Sequence, residues 1–208
     1  RTPSGVGPAS LPGSFRMTAA YPPSYCNKGL IMFLDLLASR RSIRKYKPVP
    51  VEPEKVDALV ETALRSFSSR GFCPWRFIVV DNRETLKSLS ELKSHGSSFL
   101  KNAPLGIVVI GAPDESDVWV EDTSIASALI HLAAHDMGLG SCWIQIRKRE
   151  HSSFKSSDTY VKEVLAIPEN YSVESVIAIG YPDQELTGHA KESLEFEKVW
   201  YNRYGEKD

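Results

Sequence analysis

Five cations, Arg40, Arg41, Arg44, Lys45 and Lys47, fall within eight positions of the stretch "ASRRSIRKYKP". Side chains so closely packed repel one another. The arrangement suits a phosphate, an acidic partner, or only a solvated helix end. Ser42 adds a hydroxyl donor inside the cluster. Three of the cations are arginines, whose planar fork matches phosphate oxygens better than a lysine ammonium does. The chain then turns into "KPVPVEP", which would fix these groups on an ordered loop.

Other candidate chemistry is weaker. "GLGSCW" (138–143) lacks the last Gly of GxGxxG and closes a helix where that motif opens one; no GxxxxGK[ST] is present. A Rossmann dinucleotide site and a P-loop are both disfavoured. "HLAAH" spaces His131 and His135 as a metal pair would be spaced. Leu132 stands where HExxH needs Glu, however, and the surrounding helix is apolar, so two hydrogen-bonded structural histidines are expected. No GxSxG elbow occurs, and Cys73 and Cys142 lack the local signature of a nucleophile.

The elements that must position the cluster are legible from periodicity. The chain has 208 residues, 42% hydrophobic and 25% charged, with a formal net charge of −1. That suits one domain with a full core and makes the basic patch local, which argues against a nucleic-acid binder. No apolar run approaches the roughly 20 residues of a membrane span. Cys26, Cys73 and Cys142 form no framework, so a reducing cytoplasm is expected. Residues 1–31, rich in Pro, Gly and Ser, read as a poorly ordered extension, and 32–208 as a single domain.

"MFLDLLASRR" reads as a short helix burying Phe33, Leu34, Leu36 and Leu37, and "VEPEKVDALVETALRSF" as a second helix with Pro53 in its first turn. "WRFIVV" is a strand ended by Asp81-Asn82, with a helix over 84–92 after it. "LGIVVIG" is a central strand buried on both faces. Asp122 is expected to cap a long, largely apolar helix stopped by Gly138 and Gly140. "SCWIQI" and "ESVIAIG" are strands, separated by the helix "DTYVKEVLAI". The alternation predicts a layered α/β or α+β sheet.

At this point the chain resembles the nitroreductase family of flavin oxidoreductases. "RRSIRKY" is similar to the family's opening motif, "SFSSRGFCPWRFIVV" to its A-P-S-S-x-N-x-Q-P-W-x-F-x-V-V segment, and "DTSIASALIHLAAHDMGLGSCWIQI" to its D-x-x-x-A…GLG-[ST]-C-W-I stretch. "LAIPENYSVESVIAIGYP" resembles its close, and the set spans most of residues 33–205 in the family's order. Three departures stand out. Gly71 and Cys73 replace the family's Asn and Gln, Phe67 replaces its first Pro, and Ile146 stands where it often has Gly.

The resemblance implies an α+β fold in three α/β/α-like layers, its central mixed and mainly antiparallel sheet flanked by helices, and an intertwined homodimer with shared flavin sites. It implies FMN as cofactor, with NADH or NADPH as transient co-substrate. Hydride would pass through flavin N5 to a small organic acceptor such as a nitroaromatic or quinone, in ping-pong turnover. Arg40, Arg41, Ser42 and Arg44 would hold the phosphate and ribityl end, with a partial late basic match at Lys191. Ser68 and Ser69 would come from the other subunit, while Trp143, Ile144 and Gln145 would follow the pyrimidine edge. No side chain is implied as acid or base. Two alternatives stay open: a specialised flavin-binding, flavin-remodelling or dehalogenating protein on the same scaffold, and a non-enzymatic module using the basic loop.

Overall fold

A computed structural model describes residues 33–206. The extension expected over residues 1–31 lies outside the described residues. Four strands form the main sheet: β1 (Trp75–Val80), β2 (Leu105–Gly111), β6 (Ser172–Gly180) and β3 (Gly140–Gln145), in the spatial order β1-β2-β6-β3. Every neighbouring pair in it is antiparallel. A small hairpin of β4 (Glu150–Ser152) and β5 (Lys155–Ser156) follows β3.

β2 is buried at all of its positions, and this explains its uninterrupted apolar run. Val108 and Ile110 join one core with Leu86, Leu89, Leu100, Ile144, Val161 and Val176. That core lies under α3 (Arg83–Leu89) and α5 (Ser157–Leu165). Ile107 and Val109 join the other with Leu59, Ile130, Ala134, Ile177 and Ile179, under α2 (Pro53–Leu64) and α4 (Trp119–Asp136). Strand alternation thus feeds two cores from one sheet. Each fully buried Leu or Ile contributes about 1.5–3 kcal/mol.

Two readings need correction and a third gains a detail. Of the four apolar residues expected to be buried on α1 (Phe33–Ser39), only Leu36 is; Phe33 and Leu34 are 61% and 75% exposed and Leu37 is also open. α4 starts a turn earlier than expected, at Trp119, so Asp122 does not cap it. Its carboxylate instead satisfies a donor from another segment, described below. Asn82 does more than end β1: its side chain accepts the Thr85 N–H at 2.9 Å and caps α3. Among the described residues, no helix is long and apolar enough to cross a membrane.

Candidate functional site

The basic stretch leaves α1 and runs as an irregular extra strand beside the sheet. Ser42 bridges Ser141 in parallel, and Tyr46 bridges Pro182. The Ile43 N–H donates to Ser141 O at 2.9 Å, Lys47 N–H to Tyr181 O at 2.9 Å, and Asp183 N–H to Lys45 O at 2.9 Å. The buried Tyr46 hydroxyl donates to Ile43 O at 2.5 Å and also lies 3.2 Å from Ala178 O. Burial pushes that phenol far up, so it remains a donor. Gly140 permits the fit. A Cβ there would lie 2.7 Å from Ile43 Cγ2.

The arginines divide their work. Arg40 Nη1 lies 2.7 Å from His131 Nε2. Arg44 packs its guanidinium 5.9 Å from the Phe99 ring centroid. Both flank the Cys142 thiol, which burial pushes up while Arg44, Lys93 and Arg40 pull it down. The half-buried Ser42 hydroxyl lies between these two arginines in sequence. Arg41 turns away, donating to the Thr187 carbonyl. The segment bearing Thr187 is pressed onto the end of α1, since a Cβ on Gly188 would collide with the Ala38 carbonyl oxygen. Lys191 follows, exposed, in the short turn Lys191–Ser193.

Both histidines of "HLAAH" are bound to protein groups. His131 Nδ1 pairs with Ser141 Oγ, and His135 Nε2 lies 3.0 Å from Ser39 Oγ. No group of three or more metal-ligating side chains occurs among the described residues. Burial, then Arg40 and His135, lower His131 from its ordinary 6.5 to about 4. The unfolded imidazole takes its proton near 6.5, whereas the folded one stays neutral until about pH 4. Its stabilising contribution is therefore complete above 6.5 and lost as pH falls through that window. The thermal midpoint should drop between pH 6.5 and 4, and His131→Asn should flatten this part of the profile. An unchanged slope in the variant would show that other groups carry it.

Ser68 and Ser69 lie elsewhere. Ser68 Oγ accepts the Cys73 N–H at 2.9 Å, and the Ser69 N–H donates to buried Asp122 Oδ1 at 2.8 Å. The loop is tightly wound, with positive φ at Arg70, Gly71 and Cys73. Asp122 and His131 are nine residues apart on α4, about 14 Å at 1.5 Å per residue. Within one chain the serine loop and the arginines thus sit toward opposite parts of that helix.

On β3, an edge strand, Trp143 is 41% exposed while Ile144 is 1% exposed. The Ile144 side chain belongs to the core, leaving only its backbone for a ligand. Gln145 Oε1 accepts from Arg149 Nη2 at 2.7 Å. Sequence reasoning passed over two groups here. Lys93 shares a cavity of about 520 Å³ with Trp143 and Gln145. Glu174, skipped in the β2–β6 register, lies with its carboxylate 3.5 Å from the hydroxyls of Ser124 and Ser127. Burial pushes that carboxyl up, against hydrogen bonds from Ser175, Trp143, Ser127 and Ser124. A bulge has no clear mark in the sequence, and a lone lysine between helices has none.

The donor set fits an anionic group joined to a flat ring. Arg40, Arg44 and Ser42 supply guanidinium and hydroxyl donors, and the neighbouring strand β3 carries the exposed Trp143. A model of the nitroreductase family matches residues 37–95 and 90–181. The chain belongs to the nitroreductase family. An FMN-dependent nitroreductase from Clostridium difficile R20291 is 48% identical, with a TM-score of 0.81, over 82% of this chain and 99% of that one. A protein of Archaeoglobus fulgidus, provisionally named NADH dehydrogenase/NAD(P)H nitroreductase, is 38% identical over 73% of this chain and 86% of its own. The NADPH-flavin oxidoreductase of Vibrio harveyi is 25% identical over 73% of this chain and 66% of its own. The nitroreductase fold, with its antiparallel sheet between helices, is the one expected from the motifs.

Proposed function

We propose that this chain passes hydride from NADH or NADPH to a small organic acceptor, such as a nitroaromatic or quinone, in ping-pong order at one shared site. The enzyme class, an NAD(P)H-dependent flavin oxidoreductase using FMN, follows from family membership and from the relatives' names. Bound FMN supplies the hydride chemistry. The convergence of Arg40 and Arg44 beside the Trp143 strand carries the reading. Arg40, Ser42 and Arg44 would hold the phosphate and ribityl end. Arg41 would brace the late segment through Thr187, keeping Lys191 near the end of α1. Trp143, Gln145 and the Ile144 backbone would run along the pyrimidine edge of the flavin, leaving the exposed face of Trp143 open. No side chain is assigned as acid or base. Protein purified from its source should release FMN on heating, identified by mass; FAD or no flavin would count against the assignment.

The second part of the proposal is a homodimer in which Ser68 and Ser69 complete the partner's site, in a reducing cytoplasm. The separation of the serine loop from the arginines along α4 supports it, as do the open apolar residues Phe33, Leu34 and Leu37 on α1. Phe196, Val199 and Tyr204 near the C-terminus add more uncovered surface. Patches of this kind usually mark an interface. Light scattering at low micromolar concentration should give about twice the 23.2 kDa chain mass. A flavin-loaded monomer would contradict the shared site.

A further inference from the structure

The cavity of about 520 Å³ at the β3 edge is lined by Lys93, Ser94, His95, Trp143, Gln145, Arg149 and Glu150. Its cations are poorly compensated. The salt bridges among the described residues include neither Lys93 nor Arg149. Lys93 is half-buried, and its ammonium is disfavoured first by burial and then by the Arg149 charge. Without a ligand such a pair costs free energy, and an anion between them would relieve it. Among the described residues Glu150 is the one carboxylate on the lining, and it pairs with neither cation.

The site is also built rather than incidental. Arg149 is aimed by its bond to Gln145 Oε1 at 2.7 Å, and the Gln145 amide is oriented in turn by donating to Arg147 O at 3.1 Å. The turn carrying Lys93 is tied by the buried Ser97 hydroxyl, which donates to Ser90 O at 2.8 Å and lies 3.3 Å from Lys93 O. The exposed ring of Trp143 lines the same cavity as these cations. A flat ring and a fixed positive wall therefore occupy one mouth, with Ser94 and His95 exposed at its rim.

We propose that this cavity is an anion subsite for the electron acceptor, taking a flat aromatic compound that bears a carboxylate, its ring along Trp143 and its carboxylate against Lys93 and Arg149. The proposal rests on the flavin oxidoreductase reading and narrows its acceptor class. It also gives Gln145 a positioning role, through Arg149.

The test uses the flavin-loaded protein with a matched pair of acceptors, 4-nitrobenzoate and the neutral 4-nitrobenzamide. The parent should favour nitrobenzoate in kcat/KM. Lys93→Gln should reduce the nitrobenzoate-to-nitrobenzamide ratio about tenfold, mainly through KM, as loss of one charge-assisted contact implies. Lys93→Arg should retain most of the preference. Lys87→Gln removes the same charge from the exposed face of α3 and should leave the ratio alone. An unchanged ratio in Lys93→Gln overturns the proposal, even if both rates fall together, because Lys93 then serves the cofactor or the fold. If FMN is bound and the ratio does not move, the subsite alone is wrong. If the protein holds no FMN, the oxidoreductase reading fails with it.

Discussion

Arg44→Ala should bind FMN about tenfold to a hundredfold more weakly than the parent, with little change in the thermal stability of the flavin-free protein. Arg44 is exposed, with its guanidinium near the Cys142 thiol, the Phe99 ring and the Tyr46 phenol, so its removal opens no core. A charge-assisted contact to a phosphate contributes roughly 1.5–3 kcal/mol, and each 1.4 kcal/mol is a factor of ten in affinity. Arg40 is a poorer test, because it also holds the ring of His131. Lys47→Ala is the control. Its backbone is tied to Tyr181 O, but its exposed side chain lies beyond the motif. Titration of the apo-proteins with FMN, followed by flavin fluorescence, separates three outcomes. Weakening only in Arg44→Ala supports the phosphate site. Parent-like affinity in both variants removes it. Equal weakening in both, suppressed by added salt, reduces the cluster to general attraction.

How far the sequence reached depended on how local each cause was. β2 was legible residue by residue because burial on both faces leaves an unbroken apolar run, and β1 because its edges carry turn residues. Pattern on α1 misled. Phe33, Leu34 and Leu37 look like core, but among the described residues they stay largely exposed. Hydrophobicity reports that a residue avoids water, not what covers it. Asp122 misled in a related way. An aspartate before an apolar helix reads as a cap, whereas its partner is Ser69, more than fifty residues away.

The site divides along the same line. Arg40, Ser42 and Arg44 stand close in sequence and stay close in space, so their clustering was visible. Arg41 belongs to that run but is spent on Thr187, a contact no spacing rule anticipates. Lys93 and Glu174 reach the Trp143 strand from a turn and from a skipped register position. Each draws its importance from missing or buried company rather than from a motif. The pattern "GLGSCW" is the instructive middle case. It follows the end of α4 and opens β3, yet the true need for Gly140 appears only when Ile43 is seen packed against it.

That contact yields the second large prediction. Gly140→Ala should lower stability by about 1–3 kcal/mol, the usual cost of overpacking, and it should weaken FMN binding as well. The new Cβ would meet Ile43 Cγ2, Cβ and Cγ1 at 2.7, 2.8 and 2.9 Å. Ile43 has little freedom to retreat: it is buried, its N–H is bonded to Ser141 O, and its carbonyl is held by the Tyr46 hydroxyl. Relief must come from the loop, which then carries Arg40, Ser42 and Arg44 off the edge of β3. Displacing two charge-assisted contacts of about 1.5 kcal/mol each amounts to roughly a hundredfold in FMN affinity. Arg44→Ala weakens binding without unfolding, so the paired loss of stability and affinity is the signature of Gly140→Ala. Adding Ile43→Ala removes the two γ carbons and should recover part of the affinity, although the shared Cβ contact remains. The double-mutant cycle should then show coupling between the two positions. Additive effects, or a Gly140→Ala protein that melts and binds FMN like the parent, would mean that something other than this contact seats the basic loop.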